Sequence, residues 1–221
     1  MYQQSYAVKL TGATALLVHQ DNISWAEVMK KYEKDPANKK LSVAGDDRTP
    51  AWRWIGYAYF DDGKMVIPSD NLMTMLREGG SKCPTGKKGA TFKRQTQSGI
   101  VVNQLGWPLL GAKGEILEKD VRTLIENSNY AEHEAKAIDL GFELFAKRAR
   151  VGNNKHIRVR PKFTTWSCAG TLTVFDETIE TSVLQDILSH AGRFAGLCDW
   201  RPSSPKSPGP YGTFTASVKE I

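Results

Sequence analysis

The sequence has 221 residues, 40% of them hydrophobic and 24% charged, the balance of a globular protein that can bury a core without disulfides. Its longest apolar runs are too short to cross a bilayer and its first ten residues show no secretion signal. Three cysteines, Cys83, Cys168 and Cys198, leave one over in any pairing, so a reducing, cytoplasmic setting is expected.

The formal net charge of +6 is unevenly spread. Between Ser81 and Lys113 there are six basic residues and no acid, and between Ala146 and Gly170 seven more, again without an acid. The intervening stretch from Glu115 to Glu143 holds eight acids against three bases. Cations segregated in this way suit a polyanion-binding surface; the plainer alternative is two solvated faces.

In chain order, residues 6–19 read as a strand bent at Gly12. Ser24 caps a helix through "SWAEVMKKYEKD", and residues 36–50 form a polar loop. The aromatic run "AWRWIGYAYF" is β-prone, and "DDGK" turns into a strand ending at Pro68. Ser69 or Asp70 then caps a helix that buries Leu72, Met75 and Leu76 and ends at Gly79. Residues 81–98 read as a long mobile loop and 99–110 as a strand. Helices are expected over 117–127 and 130–149, strands over 155–163 and 168–176, a helix over 180–191 and a last strand over 212–220. This order approximates an α+β fold of the split β-α-β, ferredoxin type, carrying an inserted helical segment.

The sharpest local pattern lies in the strand 155–163. Ile157, Val159 and Pro161 alternate with His156, Arg158, Arg160 and Lys162, so period two puts the basic groups on one face. Three cations at that spacing repel one another unless an anion sits between them, and guanidinium forks suit phosphate oxygens. The 81–98 segment adds Lys82, Lys87, Lys88, Lys93 and Arg94, with Phe92 as an aromatic able to stack on a base. Its glycine and lysine spacing is not that of a Walker phosphate loop. The helix start at Ser69–Asn71 offers backbone N–H groups to an anion, although Asp70 competes for them. A Gly-Pro-Ser loop follows the 180–191 helix, and Arg193, Trp200 and Arg201 line it.

Histidines and cysteines show no metal-ligand spacing, and neither a metal nor a cofactor is expected. The pairs Asp46–Asp47 and Asp61–Asp62 could serve a Mg²⁺ nuclease, but acids beside glycine commonly mark turns. Cys198 and His190 could be imagined as nucleophile and base, with nothing in the sequence tying them together.

Two stretches resemble the RAMP superfamily, the RNA-binding backbone proteins of CRISPR effector complexes. At the first helix of that family runs a pattern of apolar-Ile-Pro-Gly-Ser-Ser-Leu-Lys-Gly-x-Leu-Arg. Here Ile67, Pro68, Leu72, Leu76 and Arg77 match in register. Ser69, Asp70, Asn71, Met73 and Thr74 depart from it, and Met73 removes an expected phosphate-binding lysine. Residues 192–212 resemble the family's glycine-rich loop, and "TGATALLVH" its opening strand. The resemblance covers about a third of the chain. It implies a modified ferredoxin-like (RRM-like) palm with an inserted helical and loop thumb, divided as 1–80, 81–150 and 151–221.

The expected function is therefore a non-catalytic protein that binds single-stranded nucleic acid, RNA favoured, through phosphates and stacking. Its further partners would be copies of itself, stacked in a filament, or subunits of an RNA-guided complex. The host would be bacterial or a phage. The alternatives are a metal-dependent nuclease using Asp46 and Asp47 or neighbouring acids, and a phage-type protein that mimics or inhibits such a complex.

Overall fold

The computed structural model describes residues 2–39, 41–151 and 154–221. Its first elements are β1 (Gln4–Gly12), β2 (Leu16–Leu17), α1 (Ile23–Lys34), a 3-10 helix (Ala51–Tyr57), β3 (Phe60–Asp61), β4 (Lys64–Pro68) and α2 (Ser69–Lys82). Next come α3 (Lys93–Ser98), β5 (Ile100–Val102), β6 (Gly106–Gly111), β7 (Gly114–Glu115), α4 (Glu118–Arg122), α5 (Tyr130–Asp139) and β8 (Glu143–Val151). The chain closes with β9 (Asn154–Phe163), β10 (Ser167–Val174), α6 (Thr181–His190) and β11 (Phe214–Glu220). Two units interleave along this order: one takes the chain up to Leu17, Val66–Leu110 and Thr164–Ile221, the other Val18–Met65 and Gly111–Phe163.

In the first unit, β1 buries Tyr6, Val8 and Leu10 and turns Lys9 to solvent, as period-two alternation requires. It pairs antiparallel with β10, Leu10 opposite Cys168, and with β11, Val8 opposite Val218. β10 continues the sheet antiparallel to Leu109–Leu110 of β6, and also pairs with β5. The spatial order β11-β1-β10-β6, with α2 and α6 in the two crossovers, is that of a ferredoxin-like βαββαβ unit. The α+β expectation holds, and β1, β10 and β11 overlap the strands expected over 6–19, 168–176 and 212–220.

Helix α2 buries Leu72, Met75 and Leu76, and α6 buries Leu184, Ile187 and Leu188. The two helices pack on each other, and α6 also packs on β11. A Cβ at Gly79 would lie 2.6 Å from the Cβ of Ala191, so glycine is needed there for close approach. Helix α2 accordingly runs on to Lys82 instead of ending at Gly79. The expected loop 81–98 is partly regular. Pro84 bridges Thr91, Thr85 N–H donates to the Ala90 carbonyl at 3.1 Å, and 93–98 is helix α3.

The second unit is built around aromatic rings. The run "AWRWIGYAYF" forms a 3-10 helix and not a strand, because it buries Ala51, Trp52, Trp54, Ile55 and Gly56 without period-two alternation. Trp52 meets the rings of Trp25 and Tyr32 edge-on at 5.5 and 5.3 Å, and Trp54 meets Phe142 at 5.7 Å. Phe142 stacks in turn on Phe163 at 5.2 Å. Helix α1 is capped by Asn22, whose side chain accepts from Trp25 N–H at 2.9 Å, one turn-start earlier than Ser24. The expected 130–149 helix stops at Asp139. Gly141 follows at φ +91°, a conformation that ends helices, and the chain re-emerges as β8.

His133 is fully buried in this unit, with its protons assigned by its neighbours. Trp54 Nε1 donates to Nδ1 at 3.0 Å, and Nε2 donates to the Asn127 carbonyl at 2.9 Å. Protonating Nδ1 would set donor against donor, and burial already lowers the pKa of His133 below its ordinary 6.5. The unfolded chain therefore takes up a proton before the folded one does, and stability falls as pH drops below about 6.5 toward the lowered folded value, by at most ~1.4 kcal/mol per pH unit. Melting curves of wild type and His133→Gln will show the wild type's advantage shrinking below that pH. A constant difference contradicts the assignment.

Candidate nucleic-acid interface

Strands β8 and β9 form an antiparallel ribbon in the second unit, with seven cations and one carboxylate between Glu143 and Phe163. The alternation expected for β9 is present: Val159 and Pro161 are buried, while His156, Arg158, Arg160 and Lys162 are half-buried on the other face. Register sets Lys147 directly opposite Arg158, and Arg150 opposite Lys155. Directly opposed like charges destabilise a strand pair. Lys147, Arg148, Arg150 and Lys155 are all exposed. Lys162 differs, since its ammonium donates to Glu143 at 3.1 Å and sits 5.7 Å from the centre of the Phe145 ring.

The anion needed beside the β9 arginines is partly internal. Asp47, with 3% of its side chain exposed, accepts from Arg158 Nη1 at 3.2 Å, the Tyr57 hydroxyl at 3.1 Å and Val159 N–H at 3.3 Å. Arg53 Nε lies 4.0 Å away. Burial, then the Asp47 charge, push the Tyr57 phenol up to about 12. Asp46 is held by Arg48 Nη2 at 2.7 Å, and that hydrogen bond keeps its carboxyl below the usual range. Both carboxylates are thus engaged by arginine. Among the described residues no group of three His, Cys, Asp or Glu side chains could hold a metal ion.

The other expected site residues belong to the first unit. Lys82, Lys87, Lys88, Lys93, Arg94 and Arg193 are exposed. Phe92 is 8% exposed and packs in the core, so its ring is not offered to a base. Pro68 caps α2 without a side-chain hydrogen bond, so neither Ser69 nor Asp70 does so as expected, and Ser69 N–H donates to the Leu105 carbonyl at 2.8 Å. Asn71 Nδ2 lies 3.7 Å from Cys198 Sγ. Arg201 is a tie for the loop: its guanidinium donates to Ser203 Oγ at 2.9 Å, the Cys198 carbonyl at 3.2 Å and Glu78 Oε1 at 3.4 Å. Ser203 also bonds Glu78, which fastens the loop to α2. Trp200 lies 5.4 Å from Tyr211, ring to ring.

Burial pushes the Cys198 thiol up to about 12, which disfavours the thiolate that a nucleophile needs, and His190 Nδ1 is bonded to its own helix at Asp186. Sequence reasoning overlooked the β8 half of the ribbon, because Leu144 and Phe145 continued a helical spacing. It also overlooked Arg53, hidden within the aromatic run. Gly141 was the available signal for the first; nothing local marked the second.

No protein-family model matches the chain, and no curated protein does. Among solved structures it is similar to Cmr6 from Pyrococcus furiosus, at 10% identity and a TM-score of 0.37, covering 98% of this chain and 100% of that one. No helix among the described residues is long and apolar enough to cross a membrane.

Proposed function

We propose that this protein is a non-catalytic binder of single-stranded nucleic acid, RNA favoured, serving as a backbone subunit of an RNA-guided, CRISPR-effector-like complex. One observation carries the reading: the β8–β9 ribbon concentrates seven cations against one carboxylate, with Lys147, Arg148, Arg150 and Lys155 exposed, an excess of positive charge that a chain of phosphates neutralises. The ferredoxin-like unit supports it, as does the Ile67, Pro68, Leu72, Leu76, Arg77 pattern at α2, which resembles the RAMP superfamily. That resemblance is also the ground for preferring a single strand, for RNA and for partners drawn from copies of itself or from sister subunits. The exposed cations of the 82–94 segment and Arg193 supply further phosphate contacts.

Phosphate binding releases counterions, so affinity is salt-dependent. Neutralising about four phosphates gives a slope of log K on log salt near −3, from roughly −0.7 per phosphate on a single strand. Fluorescence anisotropy with a labelled oligoribonucleotide at several salt concentrations will show such a slope with little sequence preference, and the RNA will stay intact in Mg²⁺. Salt-independent binding, no binding, or cleavage overturns the proposal.

A further inference from the structure

A cleft of about 500 Å³ opens within the second unit, beside the start of α1, the 3-10 helix and β9. Three arginines reach it from two separate chain segments: Arg53, Arg158 and Arg160. Arg158 spends one N–H on Asp47, and Arg53 Nη2 is held by Glu33. Each guanidinium has five donors, so both keep capacity beyond these bonds. Arg53 Nε is buried with no hydrogen-bond partner among the described residues, with Asp47 at 4.0 Å beyond bonding reach. A buried donor left unpaired is costly, and an anion entering the cleft would satisfy it.

The remaining lining is not that of a bare anion hole. Trp25, Tyr57 and His19 contribute rings, the last two in edge contact at 4.6 Å, and Met29 adds an apolar surface. Gln20 brings an amide, which presents both a donor and an acceptor, the complement of a base edge. Phosphate forks beside aromatic surface and the Gln20 amide match a single nucleotide, and the volume lies in the range of small-ligand sites.

We infer that this cleft seats one nucleotide, its phosphate on Arg53, Arg158 and Arg160 and its base against the Trp25, Tyr57 and His19 rings with Gln20 at its edge. The ligand class rests on the single-strand reading, but the site stands or falls separately from the ribbon. The nucleotide comes either free or as one residue of a bound strand.

Calorimetry on the full chain tests this with adenosine 5′-monophosphate, adenosine, inorganic phosphate and an oligoribonucleotide. The monophosphate will bind one to one, at least tenfold more tightly than adenosine or phosphate alone. Arg53→Lys keeps the charge but loses the fork, and will weaken the monophosphate about tenfold; the milder Gln20→Ala will weaken it severalfold. The ribbon variant Arg150→Ala/Lys155→Ala will weaken the oligonucleotide and leave the monophosphate unchanged. Competition between the two ligands marks the cleft as a seat for a strand residue; independent binding marks it as a site for a free nucleotide. Oligonucleotide binding without saturable monophosphate binding overturns the cleft and spares the single-strand reading. Monophosphate binding without oligonucleotide binding does the reverse. Phosphate alone binding as tightly as the monophosphate also overturns the nucleotide assignment.

Discussion

Replacing Asp47 with alanine will lower stability by about 3 kcal/mol, the scale for removing one partner of a buried ion pair. Its carboxylate is the shared acceptor for the Tyr57 hydroxyl, Arg158 and Val159 N–H. Without it, a half-buried guanidinium and a half-buried phenol lose their acceptor together, and each orphaned group costs about 1–3 kcal/mol. For a chain of this size that is a fall in melting temperature of roughly 6–12 °C. Asp46→Ala is the matched control. Its partner Arg48 is 46% exposed, and exposed pairs are worth about 0–1 kcal/mol. Differential scanning calorimetry on the two variants will separate them clearly. Equal losses would mean that Asp47 is no structural hub; a loss confined to metal-dependent cleavage, with stability intact, would favour the nuclease alternative.

The second large effect is on affinity. Lys147→Ala, Arg148→Ala, Arg150→Ala and Lys155→Ala combined will weaken single-stranded RNA binding by roughly 10²–10³-fold, from about 1 kcal/mol per lost phosphate contact. The same substitutions will flatten the salt slope by about 0.7 for each contact removed. All four side chains are exposed, and substitutions at exposed positions leave stability within about 0.5 kcal/mol each. Anisotropy against salt, with a melting curve alongside, reads both. Unaltered affinity in a folded variant would move binding away from the ribbon.

How much of this was legible in the sequence follows from the range of the forces involved. β1, β9 and α6 were readable because each buries one face at its own period, as Tyr6, Val8 and Leu10 do, while β10, which buries Leu172, Thr173 and Val174 in succession, and β11 overlap their expected runs. Their order led to the ferredoxin-like arrangement. Residues 51–60 misled because large aromatics favour strands on average, whereas here Trp52 and Trp54 fill a core from a 3-10 turn. β8 was read as helix because its ladder partner supplies the decisive hydrogen bonds and no local spacing records them. The basic face of β9 was legible, but its counter-ion was not: Asp47 lies 111 residues away from Arg158 in sequence. Arg201 looked like a ligand-facing cation for the same reason, since Glu78 meets it only in the fold.

Photocrosslinking of the full chain to a 4-thiouridine-labelled single-stranded RNA, with the modified peptides identified by mass spectrometry, tests the central claim most directly. Crosslinks concentrated between residues 143 and 163, and lost at high salt, are the predicted result. Tight binding with no crosslink in that segment would contradict it.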